Sequence, residues 1–281
     1  MSKKKILMII GAVASVIIVY LVYQHIVYIK TDNAQINAHT VMIAPKVGGY
    51  IQKVLVKEGD TVKKGDLLIQ IDDRDYESTY ESMKSNLLSL EAKRSDAEKN
   101  YQRIKNLFSK GVVSSQQFDS ATATYNEIRA KYDSAQANVR QAQLNIEFTQ
   151  LRAPSDGNIA RKSAEVGQLA IPGAVLVGFV SSENRWITAN LKETEIKNVR
   201  PGQKVDIEID AHPTKNFSGT VESLSSATGS TFTLLPPDNA TGNFTKVVQR
   251  VPVKILFDSL TPEEIQNLQA GLSAIVKIKV R

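Results

Sequence analysis

Two patterns of apolar positions divide the chain. Between about Asp73 and Gln150 the apolar residues recur every three or four positions. On a first arm they are Tyr76, Tyr80, Met83, Leu87, Leu90, Ala97, Tyr101, Ile104 and Phe108, with Arg94 filling one gap. On a second arm they are Phe118, Ala121, Tyr125, Ile128, Tyr132, Ala135, Val139, Ala142 and Ile146. A sustained period near 3.5 predicts a coiled-coil seam. Between the arms, Gly111 suits the left-handed residue that ends a helix, and Ser114 with Gln117 has the spacing of a capping box. The stretch therefore predicts an antiparallel helical hairpin, each arm about 54 Å long at 1.5 Å per residue.

Either side of it the period falls to two. Val41–Pro45, Tyr50–Val56 and Leu67–Ile71 are strand candidates, separated by glycine turns. The residues after the hairpin repeat the same pattern at a constant offset of 108: Gly157, Ile159, Gly167, Gly173 and Leu176 match Gly49, Ile51, Gly59, Gly65 and Leu68. Half a domain of about thirty residues cannot bury a core alone, so the two copies are expected to pair as one small β-sandwich with the hairpin inserted between them. Beyond it, Val205–Asp210, Val251–Phe257 and Ala274–Val280 alternate cleanly and predict a small β-barrel.

The N-terminus has a third character. Ile6–Tyr23 is almost wholly apolar and follows Lys3, Lys4 and Lys5. That length spans a bilayer as a helix, and the lysines hold the N-terminus in the cytoplasm. No A-x-A-like cleavage site follows. The expected organisation is α+β: residues 1–30 a cytoplasmic N-terminus and transmembrane helix, 31–72 with 151–181 a biotinyl/lipoyl-like sandwich, 73–150 the coiled-coil hairpin, and 182–281 the barrel.

Composition narrows the chemistry. Cysteine is absent and three histidines stand far apart, which removes disulfides, thiolate metal sites and a cysteine nucleophile. The formal charge of +6 raises nucleic acid as a partner, but the hairpin carries eleven basic and eleven acidic residues and forms no basic stripe. No P-loop, G-x-S-x-G or H-E-x-x-H motif occurs, so neither an enzyme nor a bound cofactor is expected.

Two halves of a lipoyl-like domain split by a coiled coil resemble the periplasmic adaptor (membrane fusion) proteins of the HlyD type. Arg185–Ile196 followed by Val199–Val205 is similar to the start of the adaptor barrel, and Thr228–Val253 to the corresponding run of EmrA-like adaptors. The resemblance implies a bitopic inner-membrane protein whose bulk is periplasmic. It would link an inner-membrane exporter to a TolC-like outer-membrane channel in multidrug efflux, as a homo-oligomeric ring, trimeric or hexameric. The chain ends soon after the barrel. With the EmrA likeness, this favours a major-facilitator transporter over an ABC exporter. Channel-docking adaptors share a tip motif of arginine, leucine four residues on and serine seven further; Arg103, Leu107 and Ser114 match it. As isolated residues they read as a solvated helix charge, a packed leucine and a cap. Phe232, Leu234, Leu235 and Asn239 lie in a long loop that reads either as a transporter or self-assembly contact or as a barrel crossover. Gly49, Gly59, Gly65, Gly157, Gly167 and Gly173 read as scaffold. In lipoyl carrier domains the modified lysine occupies a turn that the hairpin replaces here, and Lys84 falls within a helix. A biotin or lipoyl carrier subunit and a coiled-coil membrane protein without a transport role are the competing readings.

Overall fold

The computed structural model describes Ser15, residues 27–228, Thr231 and residues 248–280. They form two compact units, Val41–Phe179 and the flanking residues up to Thr40 and from Val180 onward. The apolar stretch over Ile6–Tyr23 lies, Ser15 apart, outside the described residues, among which no helix is long and apolar enough to cross a membrane.

In the first unit, strands β2 (Gly49–Val54), β3 (Thr61–Val62) and β4 (Leu67–Ile71) precede helices α1 (Arg74–Ser109) and α2 (Ser115–Phe148). Strands β5 (Gln150–Arg152), β6 (Gly157–Lys162) and β7 (Leu169–Ala170) follow them, and β8 (Val177–Lys192) begins in this unit. The repeat read from sequence is a reciprocal exchange in space. Strand β3 pairs with β6, through Thr61 opposite Asn158, and β7 pairs with β2, through Leu169 opposite Tyr50. The Gly59 amide donates to the Ile159 carbonyl at 2.8 Å, and the Gly167 amide donates to the Ile51 carbonyl at 2.8 Å. The Gly65 amide reaches the Ala153 carbonyl and the Gly173 amide the Pro45 carbonyl, again 108 residues apart. Each half donates turn amides to carbonyls of the other, so the two halves share one hydrogen-bonded framework. Ile51, Leu68, Ile69, Ile71, Ile159 and Phe179 are each at most 1% exposed at the centre. Full burial of one such side chain stabilises by about 1.5–3 kcal/mol.

The second unit holds most of β1 (Tyr28–Ile43), the rest of β8, and β9 (Lys204–Ile209), β10 (Asn216–Leu224), β11 (Arg250–Phe257) and β12 (Ser273–Lys279), with a short helix α3 (Pro262–Asn267). The strands run in the order β1-β12-β9-β10-β11-β8, and β1 pairs back onto β8, which closes a barrel. Alternate residues point inward. Val205, Ile207 and Ile209 meet Ile187, Val253, Ile255, Val276 and Ile278 in one core. Arg185 is buried there at 6% exposure. It donates from Nε to the Leu268 carbonyl and from Nη1 to the Ser181 carbonyl, so main-chain oxygens compensate its charge, and burial lowers its pKa.

Helix α3 starts at a capping box formed by Thr261 and Glu264. Lys215 pairs with Glu264, and with the Thr261 contacts this holds the Glu264 carboxyl down at about 2.

Candidate functional site: the hairpin tip

The candidate site lies at the turn of the hairpin, and the seam fixes where that turn stands. Arg94 meets Tyr132, Tyr101 meets Tyr125 and Phe108 meets Phe118. Each contact is seven residues from the next on both arms, so the register is uniform along this length. The two aromatic pairs are stacked, with centroids 5.2 and 4.9 Å apart and planes within 8° and 5° of parallel. Offset aromatic pairs add about 0.5–1.5 kcal/mol beyond their burial. The polar gap is filled by a cation–π contact, with the Arg94 guanidinium carbon 4.1 Å from the Tyr132 centroid. Its buried Nε has no hydrogen-bond partner among the described residues. Ala121, Ala135 and Ala142 are the only buried residues of α2, and α1 has none. The seam is narrow and both helices are otherwise solvated.

The root is fastened by polar contacts. Gln70 Nε2 donates to the Thr149 hydroxyl at 3.2 Å and to the Ile71 carbonyl at 2.8 Å, and the Thr149 hydroxyl donates to the Ile146 carbonyl. The Tyr76 hydroxyl donates to the Gly48 carbonyl at 2.7 Å. Arg74 pairs with Asp72 at 2.5 Å, and its side-chain hydrogen bonds hold the Asp72 carboxyl down at about 2.

At the tip, α1 ends in a Schellman turn. The Gly111 amide donates to the Phe108 carbonyl at 2.9 Å, the Val112 amide donates to the Leu107 carbonyl at 3.0 Å, and Gly111 has φ of +73°. Helix α2 then begins at Ser114, whose hydroxyl accepts from the Gln117 amide while the Gln117 side chain accepts from the Ser114 amide. Both the left-handed glycine and the capping box were legible as sequence signals. Together they leave a short connection with its backbone fixed at both ends.

The three tip residues differ in what they present. Arg103 is exposed and makes no ion pair or hydrogen bond among the described residues. Ser114 is exposed, with its hydroxyl committed to the cap. Leu107 is only half-buried. The sequence pattern put Phe108 inside the seam, yet Phe108 is 40% exposed while it stacks on Phe118. Next to the turn, Phe108 keeps its ring contact across the seam while Leu107 beside it is partly buried, so two neighbouring residues flank the last inward position. The most exposed apolar side chain of the turn is one that the motif does not name, Val112 at 66%. Its signal was the pair Val112-Val113 following a turn glycine.

The remaining candidates fall elsewhere. Gly49, Gly59, Gly65, Gly167 and Gly173 all have positive φ, whereas Gly157 does not. Lys84 lies on the α1 surface, 3.5 Å from Glu81 and beside Tyr80. Phe232, Leu234, Leu235 and Asn239 lie outside the described residues.

Comparison with known proteins agrees across the chain. Residues 39–179 match the barrel-sandwich hybrid domain of RND membrane fusion proteins, and residues 184–279 match the AAEA-like beta-barrel domain. The colistin resistance protein EmrA of Acinetobacter baumannii is 31% identical across all of this chain and 96% of its own. The multidrug export protein EmrA of Escherichia coli is 32% identical over 95% of this chain and 80% of its own. A solved MacA–MexA chimera carrying the Pseudomonas aeruginosa MexA α-hairpin superposes with a TM-score of 0.64 at 26% identity, over 90% of this chain and 79% of its own. The chain therefore belongs to the membrane fusion proteins, the periplasmic adaptors of tripartite efflux systems, among their EmrA-like members.

Proposed function

We propose that this adaptor docks onto a TolC-like outer-membrane channel through its hairpin tip, with Arg103, Leu107 and Ser114 in contact and Val112 as the exposed apolar knob. The observation that carries this is the turn itself. A Schellman cap and a capping box hold an unpaired guanidinium, an apolar side chain and a hydroxyl on one rigid end. Arginine suits carboxylates or carbonyl oxygens at the helix ends of a partner, and a pre-ordered loop loses little entropy on docking.

The family likeness supports a reading of the rest of the assembly. A span over Ile6–Tyr23 anchors the chain in the inner membrane with its N-terminus in the cytoplasm and its bulk in the periplasm. The transporter is of the major-facilitator type, and an ABC exporter is the second choice; Phe232, Leu234, Leu235 and Asn239 contact it or a neighbouring adaptor. The cargo is multidrug, as the names of the EmrA relatives state for those proteins. One hairpin cannot enclose a conduit, so the adaptors form a ring of three or six copies. An apolar edge of the sandwich, with Tyr50 63%, Leu169 51% and Ile171 58% exposed, supports side-by-side packing in that ring.

The chain has no cysteine, so Ser114→Cys gives one attachment point for a photoreactive probe in living cells. Adducts with an outer-membrane channel are expected. Adducts confined to the adaptor itself and to inner-membrane proteins would remove the docking role.

A further inference from the structure

The strands of the barrel gather different charges at its two ends. Neighbours run antiparallel, so β1, β9 and β11 start at the end where β12, β10 and β8 finish. The residues standing there are Tyr28, Lys204, Arg250, Lys279, Leu224 and Lys192. Four of the six strand ends are basic and none is acidic. At the opposite end, Asp210 follows β9, Asp258 follows β11, and Glu263 and Glu264 open helix α3, with Lys215 paired to Glu264.

The basic end works against the fold. Arg250 faces Lys192 across β11 and β8, and Lys30 faces Lys277 across β1 and β12. Like charges directly opposite each other destabilise a sheet. Glu208 relieves Lys277, and Asp258 holds Lys204. Lys192 and Lys279 are exposed and have no ion pair or side-chain hydrogen bond among the described residues. Arg250 donates from Nη1 to the Asn190 carbonyl and meets no carboxylate among the described residues. The connection 193–203 brings Glu193 and Glu195 but also Lys197 and Arg200, so it does not neutralise this end. An apolar fringe accompanies the charge: Val248, just before β11, is 50% exposed, and Tyr28 and Leu224 are half-buried.

The chain itself sets which surface this end meets. Strand β1 is fastened as far back as Val27, whose carbonyl accepts from the Val280 amide. Tyr23, where the apolar stretch closes, stands four residues earlier, a reach of no more than about 14 Å. The inference that follows rests on the reading of Ile6–Tyr23 as a span, which puts the basic end of the barrel at the periplasmic headgroup layer. We infer that this end docks on anionic phospholipid, with headgroup phosphates between Lys192, Arg250 and Lys279 and with Tyr28 and Val248 at the interface. Phosphates offset the repulsion between Arg250 and Lys192 that the fold leaves in place, and basic and aromatic side chains together suit the bilayer interface. A single span leaves a barrel free to tilt, and charge contact at the end that carries the span fixes its axis.

The test uses the full chain in nanodiscs of phosphatidylglycerol or of phosphatidylcholine, each with a nitroxide on some of the headgroups. A fluorophore is carried by Thr194→Cys, in the connection at the basic end, or by Asn216→Cys, at the opposite end. Quenching is expected at position 194 and not at position 216, stronger in phosphatidylglycerol and weakened by high salt. Lys192→Gln and Arg250→Gln each lower the ratio of docked to undocked barrel about fivefold, as for one charge at an anionic surface. Neither lowers the unfolding midpoint in detergent, because each removes a like-charge contact. Lys215→Gln makes the same charge change at the opposite end and leaves the quenching unchanged. Quenching equal in the two lipids and indifferent to Lys192→Gln and Arg250→Gln would overturn headgroup recognition, as would its absence from both. Adducts with a membrane protein from a photoreactive probe on Thr194→Cys in cells, without lipid-dependent quenching in nanodiscs, would give this end to a protein partner and overturn the lipid surface. A chain that does not enter nanodiscs removes the span reading and this inference with it, whereas a chain that enters them without lipid dependence removes this inference alone.

Discussion

The two halves of the sandwich share a plan and differ in surface. At the core they are equivalent pair by pair: Ile51 and Ile159, Val56 and Ala164, Val62 and Ala170, Leu68 and Leu176, Ile71 and Phe179 are all buried. On one exposed edge they part. Thr61 and Asn158 face each other across β3 and β6, joined by a hydrogen bond of 3.0 Å from Asn158 Nδ2 to the Thr61 hydroxyl. Their counterparts 108 residues away are Leu169 and Tyr50, an exposed apolar pair across β7 and β2. Exposed Lys63 and Glu58 likewise correspond to Ile171 and Val166, which are 58% and 65% exposed. The backbone exchange needs only buried aliphatic residues and turn glycines, so those persist in both copies. The outward side chains are free of that demand, and a single apolar edge is what a contact on one side of the domain requires.

If the cores are equivalent, damage to either half is damage to both. Ile51→Ala and Ile159→Ala are expected to destabilise the sandwich by about 2–5 kcal/mol each, and by similar amounts. Urea denaturation of the two variants measures this. A loss confined to one of them would mean that one half carries the fold and the other decorates it.

The turn glycines give a smaller, equally symmetrical effect. Gly59 and Gly167 have φ near +90° and +86°, and a Cβ on either would meet nothing within 4 Å. Alanine at either position should therefore cost about 1–2 kcal/mol from backbone strain alone. Unequal costs, read from the same denaturation midpoints, would place a neighbour at one turn that the other lacks.

The third change breaks the asymmetry. Tyr50→Asn with Leu169→Thr transplants the polar edge onto the apolar one. Stability is expected to move by no more than about 0.5 kcal/mol per substitution, while self-association measured by sedimentation velocity weakens. An unchanged association state would remove this edge from the ring contact.

Most of the plan was readable in the chain. The heptad series named both arms of the hairpin, and Gly111, Ser114 and Gln117 named its turn, because these are local signals that act over a few residues. The repeat was readable because Gly59, Gly65, Gly167 and Gly173 need one backbone conformation whatever surrounds them. Exposure was not readable. How much of Leu107 and of Phe108 is covered depends on where the chain turns back, and Val112 gains its prominence from the shape of the Schellman turn. The length of β1, which runs from Tyr28, was hidden by the polar residues Thr31, Asp32, Asn33, Gln35 and Asn37. Partners across the barrel hold some of them: Thr31 and Asn33 bond to Asn190, and Asn37 bonds to Thr188.

The smallest expected effect concerns the point where the halves separate. After Ile71 the chain has Asp72, Asp73 and Arg74 and turns into a helix; after Phe179 it has Val180, Ser181 and Ser182 and runs on as strand β8. Asp72 is the residue that Val180 replaces. Its carboxylate accepts from the Arg74 side chain and main-chain amide, which lowers its pKa from 3.8 to about 2. A carboxyl whose pKa is depressed on folding stabilises the folded state above its unfolded value, and that contribution fades as pH falls through the folded one. The Asp72 contribution is therefore complete above about pH 4 and lost between there and about pH 2. The pair is solvated, with the Arg74 side chain 81% exposed, so the effect is small and weakens with salt. Asp72→Asn should flatten this part of the acid limb in a denaturation series from pH 5 to pH 2 and leave the profile near neutrality parallel to that of the parent. An acid limb that keeps its slope without Asp72 would assign the fastening of the hairpin root to the hydrogen bonds of Gln70, Thr149 and Tyr76.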